Sequence, residues 1–300
     1  MHEHEHEKVN QMCEIKSLPS LKDRCVLVQM KRNMWQARAF DKSATDALEA
    51  NAGVTKVGRY NKTLLKGNRD LKEVQQAFYK CYEYYKDHSL PWMSDGARII
   101  PASELLDFTA EVTRLKENCM AFVSRLHDNW STAVQEDANR MGSLFNPEDY
   151  PSADDMAAMW DIKLIVMPIS DVADFRTEVS EDIKQALDAE LQETEVKATE
   201  HCMKELLEPI TAMAERLSVP VGEAGSVFRD TLVSNLKDAA TRVKKLNIND
   251  NDTINTTCDR VLSVLSGVDA QTLRDVDGVR NSVAASMRTL QRNLSAYMPR

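Results

Sequence analysis

Six basic residues, Lys56, Arg59, Lys62, Lys66, Arg69 and Lys72, stand in or beside a segment that also holds Gly58 and Gly67. Aromatic residues follow at Phe78, Tyr79, Tyr82, Tyr84, Tyr85 and Trp92. Basic groups hold phosphates and aromatic faces stack on unpaired bases, so this mixture fits contact with single-stranded nucleic acid. The plainer alternative is a solvated basic loop followed by a packing helix, because Phe78, Tyr82 and Tyr85 fall on one helical face. Residue types and spacing leave both readings open.

Other chemistry is hard to place. The sequence has no phosphate-cradling Walker loop, no G-x-G-x-x-G, no H-E-x-x-H and no G-x-S-x-G. His88, His127 and His201 are far apart; His201 adjoins Glu200 and Cys202, but neighbours along a helix point in different directions. Cys13, Cys25, Cys81, Cys119, Cys202 and Cys258 form no C-x-x-C pair and lack the close spacing of a zinc site, which suits buried thiols in a reducing cytosol. The opening MHEHEHE can bind metal by composition, and it reads as a His-Glu purification tag or a solvated native tail. Asn247 to Asp252 is rich in Asn and Asp but lacks the central glycine and closing glutamate of a calcium loop, so a turn with helix-capping residues is expected. No catalytic residue, metal ligand or cofactor is assigned, and the chain is expected not to be an enzyme.

Charge narrows the partners. The formal net charge of −9 argues against a protein that simply coats DNA. Residues 22–72 hold 12 Lys/Arg and 5 Asp/Glu, a local balance of +7, whereas residues 146–215 hold 5 and 18, a balance of −13. The acidic belt is either a face that attracts a basic partner or the solvated side of a long helix. No apolar run reaches the ~18 residues of a membrane span, and no basic-then-apolar start suggests secretion, so a cytoplasmic location is expected.

The elements that position these residues are mostly helical. Glycine and proline number only 9 each, so turns are scarce. Leu105, Phe108, Val112, Leu115, Cys119, Phe122 and Leu126 step by threes and fours, predicting a helix from an N-cap at Ser103 towards Met141 and a stop at Gly142. At ~1.5 Å per residue it would be roughly 60 Å long. A matching stripe runs from Val179 through Ile183, Leu187, Leu191, Met203, Leu206, Ile210 and Met213 to Leu217, with Pro209 as a candidate kink. The two are expected to pair antiparallel. Two short apolar runs, from Arg24 to Met30 and from Ile162 to Met167, read as strands; paired, they make a small β element, and unpaired, they are extended connectors. Shorter stripes fill the last third. The expected fold is mainly α: an elongated antiparallel long-helix pair with a C-terminal helical bundle and, where the runs pair, a small two-stranded β element. Its expected parts are a flexible tail over 1–20, a body over 21–220 and a helical subdomain over 221–300.

Several motifs carry a resemblance. VLVQMKRNMWQAR from Val26 to Arg38, LFNPEDYPSADDM from Leu144 to Met156, VMPISDVADFR from Val166 to Arg176, FRDTLVSNL from Phe228 to Leu236 and LNINDN from Leu246 to Asn251 resemble a family of uncharacterised helical proteins encoded by tailed bacteriophages and related bacterial elements. The resemblance implies a phage origin and expression in the bacterial cytoplasm, and it brings no functional residues. The middle motif reads structurally as a corner: Asn146-Pro147 starts a turn, and Ser152 with Asp155 has the Ser-x-x-acid pattern of a helix start. The expected function is a non-enzymatic phage accessory protein that contacts single-stranded nucleic acid through the basic-aromatic segment. The alternative is a helical adaptor or counter-defence protein that binds a host or phage protein through its acidic face. Long heptad stripes pair within a chain or between chains, which leaves a homo-oligomer open.

Overall fold

A computed structural model describes residues 20–93, 96–170, 180–219 and 229–297. The readings of the His-Glu start, of Cys13, of residues 171–176 and of Phe228 lie outside these residues. The chain is mainly α, with eleven helices among the described residues and two small antiparallel sheets. It divides into two compact units: a larger one from Met1–Gln29, Lys86–Phe108 and Val166–Arg300, and a smaller one from Met30–Tyr85 and Thr109–Ile165. This differs from the expected boundary near residue 220, because linear punctuation such as Pro220 does not reveal that separated segments share a core.

The larger unit contains α1 (Leu21–Arg24), the start of β1 (Cys25–Asn33), β4 (Leu90–Pro91), β5 (Ala97–Pro101) and five helices: α7 (Glu181–Ser218), α8 (Thr231–Leu246), α9 (Asp252–Val264), α10 (Ala270–Asp275) and α11 (Asp277–Tyr297). Met203, Leu206, Ile210 and Met213 of α7 are buried with Leu236, Ala240 and Val243 of α8, Cys258 and Val261 of α9, and Met287 and Leu294 of α11. Each full burial of such a side chain contributes roughly 1.5–3 kcal/mol. α7 remains helical through Pro209. Its stripe is taken up by α8 and α11, while most of α4 (Leu105–Asp128) lies in the other unit. The sequence pattern predicts α4 as the partner of that stripe; the helices that pack most extensively on it are α8 and α11. The Asn/Asp run is a capped turn: Asn251 accepts the N–H groups of Thr253 and Ile254 at the start of α9 at 3.0 and 3.1 Å, and Asn249 donates to the Glu195 carbonyl and Thr199. Buried Arg280 donates to the carbonyls of Arg216 and Val219, answering the unpaired acceptors at the end of α7.

The apolar runs at 24–30 and 162–167 do pair, as β1 and β6 (Asp161–Pro168), inside a four-stranded sheet of order β4-β5-β1-β6. β1 and β5 are antiparallel, from Cys25 opposite Pro101 to Gln29 opposite Ala97. The two extra strands are short and flanked by proline, which hides them from pattern reading.

The smaller unit holds β2 (Arg38–Phe40), α2 (Lys42–Ala52), β3 (Asn61–Thr63), most of α3 (Arg69–Asp87) and α4, then α5 (Trp130–Met141) and α6 (Ala153–Ala158). The helix predicted over 103–141 forms as α4 and α5 with a break at Asn129, and it ends at Gly142, whose φ of +56° suits glycine. Ser103 lies inside a 3₁₀ turn instead of capping α4. Phe78 packs edge-on against Trp160 at 5.1 Å, and Arg125 of α4 pairs with Asp70 of α3 at 3.0 Å. The five described cysteines are buried free thiols. Among the described residues no helix is long and apolar enough to cross a membrane.

His127 near the end of α4 faces Asp154 at 2.9 Å and Asp128 at 3.5 Å. The hydrogen bond to Asp154, then that to Asp128, holds its pKa above the usual imidazole value. A raised folded-state pKa contributes stability that is full below about pH 6.5, the unfolded value, and is lost as pH rises through the folded value. NMR titration of the His127 ring should give a midpoint above the unfolded value, and Asp154→Asn should lower it; an unmoved midpoint in that variant would show that the pair does not form.

Candidate nucleic-acid interface

The basic residues singled out in the sequence have divergent fates. β2 and β3 form a two-stranded ribbon in which Ala39 lies opposite Lys62. Side chains alternate across a strand, so Asn61 and Thr63 face solvent while Lys62 turns inward and is only 5% exposed. Its ammonium meets Asp149 at 2.5 Å, Asp41 at 3.2 Å and the Leu144 carbonyl at 3.1 Å. Burial opposes its charge, but the bonds to Asp149 and Asp41 outweigh burial and raise its pKa. Lys62 is therefore withdrawn as a phosphate contact: it is an internal cation, and reading this stretch as a loop missed the ribbon that turns it inward.

The other five are exposed. Arg59 lies over the Phe40 ring at 4.3 Å, and Arg69 pairs with Glu73 one helical turn on at 2.8 Å. Lys56, Lys66 and Lys72 point to solvent. The aromatic group divides as well. Phe78 and Tyr85 are in the core and Tyr82 is half-buried, which matches the packing-helix alternative. Tyr79, three residues before Tyr82 and beside it on α3, is 55% exposed.

What Tyr79 meets lies far from the basic segment in the pattern reading. The turn after β1 brings Arg32, Asn33, Met34, Trp35, Gln36 and Arg38 against Gln75 and Tyr79 of α3, with Met159 at the edge, around a cleft of about 710 Å³. The Arg32 guanidinium stands 4.3 Å from the Tyr82 ring and 5.2 Å from the Tyr79 ring, so it is held flat by two aromatic faces. Its Nη1 is buried with no hydrogen-bond acceptor. None of the residues lining the cleft is acidic. The sequence signal was present, since Arg32, Trp35 and Arg38 lie in the motif VLVQMKRNMWQAR, but nothing in its spacing showed that Tyr79 would meet it.

The cleft is braced from behind. Trp35 packs edge-on against Trp130 at 5.4 Å, and the Trp130 indole donates to the Pro151 carbonyl at 3.1 Å. Ala37, buried at φ +51°, accepts from the Leu64 N–H at 2.8 Å, fixing the turn to the chain that leaves β3. Leu65 also has a left-handed φ, +50°, which a bulky side chain adopts only where its surroundings hold it. Its N–H donates to the buried Asp137 carboxylate at 2.7 Å, which also accepts from Tyr150 at 2.5 Å and Arg140 at 2.6 Å. Burial alone would raise the pKa of Asp137; Arg140, Tyr150 and the Leu65 N–H overcome that and lower it. Burial first, then Asp137, raises the pKa of Tyr150.

The LFNPEDYPSADDM motif is thus a structural corner, as expected. Asn146 and Ser152 cap its turns, Asp149 holds Lys62, and Tyr150 holds Asp137. Compared with protein-family models, curated proteins and solved structures, the chain matches none.

Proposed function

We propose that the chain is a non-enzymatic phage accessory protein whose smaller unit engages single-stranded nucleic acid, in keeping with the phage origin that the motif resemblance implies. The supporting observation is the cleft where Arg32, Arg38, Trp35 and Tyr79 meet without a carboxylate. It combines cations for phosphates with the exposed Tyr79 ring and the half-buried Trp35 ring for bases, which is the chemistry of single-strand recognition. Exposed Lys66 and Lys72 belong to the same unit and add phosphate contacts.

Fluorescence anisotropy with labelled single- and double-stranded DNA and RNA over a salt series tests this. Binding through about four phosphates should weaken with a log-log salt slope of roughly −3 on single strands. Changing Arg38, Lys66 and Lys72 together to glutamate should weaken binding at least ~100-fold and flatten that slope. Unchanged affinity in the triple variant would sink the proposal. The adaptor reading keeps one observation in its favour: the first turns of α7 expose Glu181, Asp182 and Ile183, an acidic-apolar surface suited to a basic host or phage protein. Absence of binding to every nucleic acid at low salt would favour it.

A further inference from the structure

We infer that the cleft of the smaller unit is a pocket for one nucleoside phosphate unit, with the phosphate at Arg32 and Arg38 and the base against Tyr79 and Trp35. This rests on the strand-binding proposal for the same site and adds what that proposal leaves open, namely the smallest ligand that the site recognises.

Charge is the first argument. Neither Arg32 nor Arg38 forms an ion pair among the described residues, and no carboxylate lines the cleft that both border. Two arginines at one cleft without a carboxylate suit an anion from outside. Preorganisation is the second. Arg32 is already placed over two rings, so an incoming phosphate meets a cation that loses little side-chain freedom.

Size and shape are the third argument. A volume of about 710 Å³ lies within the range of small-molecule sites. Tyr79 keeps more than half of its surface free beyond Arg32, and Trp35 is immobilised by Trp130, so a base has two ring surfaces to contact. Asn33, Gln36 and Gln75 are the neutral polar side chains of the lining. A carboxamide offers a donor and an acceptor side by side and can turn to match the edge of any base. The pocket is accordingly tolerant of base identity.

The test is calorimetry on the full chain with AMP and UMP, alongside adenosine and ribose 5-phosphate, together with displacement of a fluorescein-labelled oligonucleotide. AMP and UMP should bind one-to-one with affinities within about tenfold of each other, and each half-ligand should bind at least tenfold more weakly, because a base stack alone is worth about that factor. Tyr79→Ala and Arg38→Gln change exposed side chains, and each should cost AMP at least about tenfold. AMP binding untouched by both variants would overturn the assignment of the pocket. Failure of millimolar AMP to bind or displace an oligonucleotide that still binds would overturn the inference and leave strand binding intact. Oligonucleotide and AMP both failing would remove both proposals, and AMP binding without the oligonucleotide would support the pocket and remove the strand.

Discussion

Asp137→Ala should destabilise the smaller unit by about 3–5 kcal/mol, the cost of breaking a buried charge network from one side. The carboxylate is the shared acceptor of the Leu65 N–H, the Tyr150 hydroxyl and the Arg140 guanidinium. Removing it takes the acceptor from the Leu65 N–H and the Tyr150 hydroxyl, deprives Arg140 of its carboxylate, and releases the backbone at Leu65, whose left-handed conformation it secures. Asp137→Asn retains one acceptor oxygen and should cost less, about 1–3 kcal/mol. Because the folded-state pKa is lowered, the contribution of this carboxylate is full above about pH 4, the unfolded value, and is lost as pH falls through the folded value. Denaturant unfolding followed by tryptophan emission reads this directly, since Trp35, Trp130 and Trp160 are in the smaller unit and Trp92 is in the larger. An Asp137→Ala midpoint equal to that of the parent would refute the network's role.

Lys62→Ala should cost about 2–4 kcal/mol, because it leaves the largely covered carboxylates of Asp41 and Asp149 without their shared cation. Lys62→Glu places a third negative charge there and should prevent the smaller unit from folding. Lost nucleic-acid binding in such a variant would therefore report unfolding and not a missing phosphate contact. The discriminating comparison is circular dichroism and unfolding midpoint beside affinity: Lys66→Glu and Lys72→Glu should keep the parent midpoint within about 0.5 kcal/mol, as exposed substitutions do. A Lys62→Ala protein as stable as the parent would show that this lysine is not an internal tie.

Helical periodicity was legible because it depends on residues three and four apart. Met203, Leu206, Ile210 and Met213 carry the stripe of α7 in the sequence and are all in the core. The strand character of the runs at 24–30 and 162–167 could be read from β-branched composition, whereas their pairing could not. The corner from Asn146 to Asp155 was legible too, because its capping bonds join residues two or three apart. What the sequence concealed was which distant segments share a core. Lys62 looks like its basic neighbours until a three-residue strand turns it inward, and the partners that retain it lie at Asp41, Leu144 and Asp149. The cleft was hidden for the same reason. Trp35 and Tyr79 acquire a common surface only after the turn following β1 folds against α3, and no local spacing encodes that approach.

The division of the chain into interleaved segments sets an order of assembly. Every part of the smaller unit has been synthesised once Ile165 is joined, while β1 and β5 of the larger unit still await α7 to α11. Domains tend to form as their segments leave the ribosome, so the cleft can take shape before most of the larger core exists. Closure of the smaller unit then turns residues 30–85 and 109–165 from floppy loops into a folded insert, which lowers the entropy still to be lost when Cys25–Gln29, Lys86–Phe108 and the C-terminal helices gather into one core. The early-made unit thereby acts as an internal template that shortens the conformational search of the late one.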